Sequence, residues 1–302
     1  IPFNRESVSA AELIAFYKDP PGWFVRNIVG ISPAIDEGAQ EDLELFALSP
    51  LIKYGVKKTL FSIMLDGRAG GEEGRQQFFQ HSLRSFQQNG EWPLGAPGES
   101  LFNEHFTVAE KLALQAKKLD LGRKITPLLL DIAPCKETAQ LGITGKIDGR
   151  YERGNLIVYH TELKGYHLIA AWIYHLLDNF QQQEVRPTWL LTESRCGCFS
   201  QQPKGNEPLL LSLLQLWEKG CTSPLPLYTE AAFEWAGQKD KTAALKGAIK
   251  EVKNKLKYKP EWSLLLGGKE IEESVENMEF QRYAEEIITP IYTLFNTRLG
   301  GR

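Results

Sequence analysis

The sequence is poor in the features that most often announce a function. Cysteine is scarce: Cys135, Cys196, Cys198 and Cys221 are the only four in 302 residues, and their spacing is irregular. Cys196-Gly197-Cys198 is a CxC without a second pair at zinc-ribbon distance, so reduced thiols are expected rather than a metal centre. His160, His167 and His175 fall in one region, but no two are four residues apart, and we read them as ordinary polar residues. No apolar run approaches the roughly 20 residues of a membrane span. The richest, PLLLSLLQLW (208–217), stops at Glu218. An excess of positive charge is missing too, since the net charge is −3 and the sequence pI about 6.1. A free-standing nucleic-acid binder is usually basic overall, so any such contact is expected to be local. There is no GxxxxGK(S/T), GxSxG or HExxH. Gly267-Gly268-Lys269 resembles the end of a phosphate loop, but Ser263 and Glu270 replace the glycine and hydroxyl it needs, so no ATP site is expected. The chain opens on Ile1-Pro2-Phe3-Asn4, with neither a Met nor a basic-then-apolar leader. From this we expect a fragment of a longer chain, and from the few scattered cysteines a cytoplasmic one.

What is present is a composition suited to a packed core, 42% hydrophobic and 24% charged. Ser9 and Glu12 have capping-box spacing ahead of a helix carrying Leu13, Phe16 and Tyr17, stopped by Asp19-Pro20-Pro21. A short helix with Trp23, Phe24 and Ile28 follows. The acidic stretch 34–50 reads as a loop, 51–67 as a helix, 67–74 as a glycine-rich connector, and 75–88 and 100–118 as helices. From 124 the period changes. KITPLLLDIA (124–133), LGITGKIDGRYE (141–152) and NLIVYHTEL (155–163) read as strands, the last two joined by a hairpin at Arg153-Gly154-Asn155. Beyond them we expect a helix over 166–183 and a strand over 187–194. Helices should then cover 208–219, 241–258 and about 272–297, with a Pro-led turn into a helix over 223–236. The expected class is α/β, one central mixed sheet flanked by helices. We expect one domain over 1–302, mainly helical over 1–120, with the sheet core and C-terminal helices over 121–302.

YHTELKG (159–165) carries the chemical question. Metal-dependent nucleases need carboxylates converging on a hard cation and a Lys to orient the attacking water. Asp148, Glu162 and Lys164 are those residue types. Along a strand Glu162 and Lys164 would share a face with His160 and Val158. A three-residue turn centred on Gly154 puts Asp148 opposite His160 and diagonal to Glu162. A turn of two or four residues points Glu162 and Lys164 away from it.

Several segments together resemble the C-terminal domain of RecC, the gamma subunit of exodeoxyribonuclease V (the RecBCD helicase–nuclease). They are AELIAFYKDPPGWFVRNIVGI, LFALSPLIKYGVKKTL, GEWPLGAPGESLF, GNLIVYHTELKGYHLIAAWIYHLL and SPLPLYTEAAFEWA, in that order along nearly the whole chain. The resemblance implies a PD-(D/E)XK nuclease-like (restriction-endonuclease-like) fold that has lost its metal ligands, with cleavage left to the RecB subunit. Gly145 and Asp148 match the nuclease G-x-x-D position. Tyr159 and Thr161 fall at the acid-x-Lys positions, out of phase with Glu162 and Lys164. Active relatives carry a Gln on the next helix, where Ala170 and Ala171 stand here. Asp148 departs from full decay of the site; it reads equally as a relic and as a turn-proximal surface carboxylate.

On this basis the expectation is a non-catalytic scaffold that contacts DNA and RecB-like and RecD-like subunits in double-strand-break repair and homologous recombination, away from any membrane. No cofactor and no catalytic or metal residues are expected. One alternative is an active Mg²⁺-dependent nuclease using Asp148, Glu162 and Lys164, and another is a pure protein-interaction module. For DNA contact the candidate surface lies in 239–260, with eight lysines against two acids. Lys246, Lys250, Lys253 and Lys257 would form one helical stripe opposite Leu245, Ile249, Val252 and Leu256. Such a stripe reads either as a solvated outer face or as a phosphate-tracking surface. Trp92 and Trp262 are candidate exposed aromatics for docking a partner.

Overall fold

The architecture comes from a computed structural model that describes residues 5–31, 48–67, 71–133, 141–200 and 206–298. Cys135 and most of the acidic stretch 34–50 lie outside these residues. The chain opens with β1 (Ser7–Ser9) and α1 (Ala10–Lys18), where the Ser9 hydroxyl accepts from the Glu12 N–H at 3.1 Å. Only that half of the capping box forms, because the Glu12 carboxylate pairs with Arg5 instead. Asp19 ends α1 and caps α2 (Pro20–Phe24) by accepting from the Gly22 N–H at 3.1 Å. A π-helical turn, Val25–Val29, follows. Three longer helices come next: α3 (Pro50–Leu65), α4 (Gly71–Gln88) and α5 (Gly95–Lys118). Both α4 and α5 start earlier than their periodicity suggests, taking in the end of the glycine-rich connector and much of the Gly/Pro-rich stretch before Ser100.

β2 (Leu128–Ile132) and β3 (Gly142–Ile147) are antiparallel, and β1 pairs with β3 in parallel, giving a three-stranded sheet in the order β1-β3-β2. The expected strand 141–152 then breaks at Asp148-Gly149. β4 (Arg150–Tyr151) belongs to a second sheet with β5 (Gly154–Tyr159), so one central sheet is corrected to two. The break has a steric cause. The Gly149 carbonyl accepts from the Leu156 N–H at 2.7 Å, and a Cβ on Gly149 would lie 2.3 Å from the Leu156 carbonyl oxygen.

From β5 the chain crosses over through α6 (Gly165–Gln182) to β6 (Thr188–Thr192), which lies parallel to β5. A parallel neighbour requires such a crossover. β7 (Cys196–Phe199), which the periodicity did not single out, runs antiparallel to β6. Next come α7 (Asn206–Thr222), α8 (Thr229–Ala236) and α9 (Lys241–Leu256). The expected closing helix is in fact broken into Ile271–Glu276, Met278–Tyr283, a π-turn Ala284–Ile288 and Thr289–Leu294. Asn277 restarts it by accepting from the Glu279 N–H at 2.8 Å, and Pro290 has no N–H to continue the ladder. β8 (Asn296–Arg298) closes the second sheet in the order β4-β5-β6-β7-β8.

The five-stranded sheet divides two hydrophobic clusters by the period-two alternation of its side chains. Leu156, Trp189, Leu191 and Cys198 face the α3–α5 side, with Phe79, Phe102 and Phe106 behind them. Leu190 and Phe199 face α6, which is buried along most of its length and packs on α1, α7 and α8. The site residues therefore come from one β–α–β unit held between two cores.

Candidate functional site

The hairpin register answers the question of convergence. Arg150 pairs with Asn155 and Tyr151 with Gly154, so the turn is the two-residue Glu152-Arg153. This corrects the turn expected at Arg153-Gly154-Asn155. β5 also ends at Tyr159, leaving Glu162 and Lys164 in the loop before α6 rather than on a strand face. Asp148 is 66% exposed at its side chain and pairs with Lys146 at 2.7 Å. Glu162 is exposed and lines a cleft with Val108, Lys111, Leu112, Glu193 and Ser194, on the α5 side. Lys164 lies within electrostatic reach of Glu251 on α9. Three elements thus draw the three residues apart. Gly145, three residues before Asp148, has φ +144°, and a Cβ there would sit 3.2 Å from that of Ala10. The spacing G-x-x-D therefore has a packing reason of its own.

At the C-terminal ends of β5 and β6, where ligands bind in open α/β sheets, neutral rings gather. His160 is buried against Tyr54 and Phe61, with ring centroids at 5.5 and 5.1 Å. Burial, with help from Lys57 and Lys58, lowers its pKa to about 4. His167 stacks on Tyr159 at 3.9 Å and accepts at Nδ1 from the Lys164 backbone N–H at 3.1 Å. Burial, then Lys18 and Lys164, lowers its pKa to about 4 as well. Lys57 of α3 pairs with Glu193, just past β6. The first turn of α6 is capped from outside: the Glu230 carboxylate accepts from the Gly165 and Tyr166 N–H groups, each at 2.9 Å. A carboxylate there also complements the helix dipole. Thr161 carries a buried hydroxyl with no hydrogen-bond partner among the described residues.

The opposite end of the same unit holds a polar network that periodicity does not reveal. Asp178, fully buried on α6, lies 3.3 Å from Arg150 Nε and 3.5 Å from Arg186 Nε. It also accepts from Asn155 Nδ2 at 2.8 Å. Thr188 Oγ1 lies within hydrogen-bond distance of His175 Nδ1, at 3.1 Å. Asn179 Oδ1 accepts from the Arg186 N–H at 2.9 Å. Charged residues among an apolar helix face, such as Asp178 after Leu176-Leu177, were the available signal.

The lysine stripe on α9 forms as expected, with Lys246, Lys250, Lys253 and Lys257 all exposed. The buried face is Ala244, Ala248 and Val252; Leu245, Ile249 and Leu256 are only half-buried. Lys253 pairs with Glu272, whereas Lys246, Lys250 and Lys257 make no ion pair among the described residues. The docking role suggested for Trp92 and Trp262 is contradicted, because they are 1% and 6% exposed. Trp92 Nε1 donates to the Gly98 carbonyl at 2.7 Å, and Trp262 Nε1 to Asp19 at 2.9 Å. Asp19 also accepts from Lys259 at 2.9 Å and Arg26 at 3.2 Å. Burial opposes its ionisation, but Lys259, Trp262 and the Gly22 N–H outweigh that and hold its carboxyl below the usual range. A cavity of about 200 Å³ opens beside it, lined by Lys18, Tyr166, Glu230, Glu251 and Lys255 among others.

Among the described residues no group of three or more His, Cys, Asp or Glu could hold a metal ion. Nor is any helix among them long and apolar enough to cross a membrane. No curated protein sequence matches the chain. The family model described as the RecC C-terminal domain matches residues 5–240, most of the chain. With the mixed α/β architecture consistent with that match, the chain belongs to the RecC C-terminal domain family.

Proposed function

We propose that this chain is a non-catalytic, nuclease-like scaffold that contacts DNA within the gamma subunit of exodeoxyribonuclease V, alongside RecB-like and RecD-like subunits, in the repair of double-strand breaks by recombination. Family membership supports the subunit assignment. The order of elements supports a PD-(D/E)XK ancestry: an antiparallel strand pair, a third strand, a crossover helix and a parallel fourth strand. The single observation that carries the non-catalytic reading is the divergence of Asp148, Glu162 and Lys164. Magnesium needs several oxygen ligands at about 2.0–2.1 Å around one point. Asp148 leaning on Lys146, and Glu162 turned toward α5, do not offer that set. No cofactor is assigned. The DNA-contacting part rests on the α9 stripe, three of whose lysines are uncommitted among the described residues.

One experiment tests both parts. Labelled duplex DNA is incubated with the chain in Mg²⁺ or Mn²⁺ and then retained on it across a salt series. The expected outcome is no cleavage, with salt-sensitive retention that weakens when Lys246, Lys250, Lys253 and Lys257 become Glu. Cleavage that vanishes in Asp148→Ala would overturn the scaffold reading. Retention unchanged by the four substitutions would remove α9 from the interface.

A further inference from the structure

Where β5 ends and α6 begins, the chain is lined with tyrosine. Tyr159 ends β5, and Tyr166, Ala170 and Tyr174 follow one another at four-residue spacing on one face of α6. Ala170 is fully buried, whereas Tyr54, Tyr159, Tyr166 and Tyr174 are each half-buried. Their mutual closeness shows in Tyr159, whose phenol is pushed up first by burial and then by Tyr174, Tyr54 and Tyr166. Rings at a core rim ordinarily find a partner for the hydroxyl. The buried Tyr17 donates to the Leu213 carbonyl at 2.7 Å, and Tyr228 meets Ser274 Oγ at 2.9 Å. None of the four rim hydroxyls makes a hydrogen bond among the described residues.

Lysines and carboxylates both stand around these rings, but the three lysines nearest to them, Lys18, Lys58 and Lys164, make no ion pair among the described residues. Lys18 Nζ stands 5.7 Å from the Tyr166 ring centroid, and Lys58 and Lys164 act on the neighbouring His160 and His167. All three lysines are exposed. Of the nearby acids, Asp148 pairs with Lys146, Glu230 accepts from two backbone N–H groups and Glu251 lies 3.8 Å from Lys255. Partly exposed aromatic rings flanked by unpaired lysines are the composition of a single-strand binding surface, in which bases stack and phosphates meet ammonium groups. Duplex DNA keeps its bases stacked inward and cannot use the rings.

We infer that Tyr54, Tyr159, Tyr166 and Tyr174 form a stacking platform for one single strand of DNA, flanked by Lys18, Lys58 and Lys164. This rests on the DNA-contacting reading above but concerns a different surface from α9, and a different form of DNA. The platform takes a strand without cutting it, since tyrosine and lysine supply no metal ligands here.

Two measurements on the full chain test it. Fluorescence anisotropy compares an oligothymidine strand with a hairpin duplex for wild type, a Tyr166→Leu/Tyr174→Leu double variant and the corresponding double Phe variant. About 1–3 kcal/mol per stacked base predicts that the Leu variant binds the single strand about 10-fold or more weaker. Its duplex affinity should stay within about 2-fold, and the Phe variant should stay close to wild type. Photocrosslinking of wild type to a strand carrying 5-iododeoxyuridine should place the label on Tyr159, Tyr166 or Tyr174. Labels found only elsewhere, or single-strand affinity unchanged in the Leu variant, would overturn the platform and leave the α9 reading standing. A chain that retains neither strand nor duplex would sink both.

Discussion

The two ends of the β5–α6–β6 unit are built on opposite principles. At the end where β5 and β6 begin, charge is buried and locked: one carboxylate, Asp178, answers two guanidiniums and an amide. At the end where the strands finish, uncharged rings fill the interior beside the buried Lys57, which pairs with Glu193, and the other charged residues lie outside. A metal-dependent nuclease site of the proposed ancestry would need the reverse, carboxylates converging where these strands finish. The difference teaches that the acids of this unit have been spent on structure. Asp178 fastens the last turns of α6 to the first residues of β4 and β5 and to Arg186 ahead of β6, while at the far end Glu193 answers Lys57 and Glu230 caps the first turn of α6.

The sharpest way to break this comparison is Asp178→Ala. Removing one partner of a buried ion cluster leaves the others desolvated and unanswered, at a cost of about 3–5 kcal/mol. Arg150 and Arg186 would be left at 8% and 12% side-chain exposure with no carboxylate at hand. We expect a large drop in the urea midpoint, with Asp178→Asn intermediate because it keeps the bond to Asn155. A loss below about 1 kcal/mol would mean that the network idles and that the locked end is an illusion of geometry.

The opposite end should reveal itself by pH. His160 and His167 are held neutral in the folded chain, with pKa values near 4, against an ordinary value of about 6.5 in the unfolded chain. Between those values the unfolded state takes up protons that the folded state refuses. Their contribution is therefore fully present above about pH 6.5 and is lost as the pH falls toward 4. A loss on the order of 1–2 kcal/mol for each ring is expected across that window. Urea titrations at several pH values measure it, and His160→Gln/His167→Gln should flatten the slope. An equally steep slope in the double variant would transfer the acid sensitivity to the carboxylates.

Local signals in the sequence translated well into local structure. The Ser9 cap, the α6 helix, the β6 strand and the lysine face of α9 all follow from residues within one or two turns of each other. What was illegible depends on distant partners. β1 finds β3 across more than 130 residues, and β8 closes a sheet begun at Arg150. Nothing near Gly149 announces that the strand must change sheets, because the reason lies in the Leu156 carbonyl. Trp92 and Trp262 stand beside Pro and Gly residues that usually mark surface, yet each sinks its indole into a specific acceptor. The spread of Asp148, Glu162 and Lys164 follows from the chain changing sheets at Asp148 and from β5 ending at Tyr159, and residue spacing announces neither.

Asp148→Ala gives the smallest effect and the most discriminating one. Its partner Lys146 is 52% exposed and Asp148 itself 66%, so the pair is screened by water at both ends. Exposed pairs contribute roughly 0–1 kcal/mol, and this one should fall below about 0.5. A carboxylate kept for a buried role would cost far more to remove, as Asp178 should. Asp148 also stands close enough to Tyr174 to push its phenol up, after burial. Removing the carboxylate should therefore lower the Tyr174 pKa slightly, readable by ultraviolet titration, with the urea midpoint barely moved. If stability instead fell by more than about 1.5 kcal/mol, Asp148 would be holding something in place. Its carboxylate would then be structural, as Asp178 is at the other end.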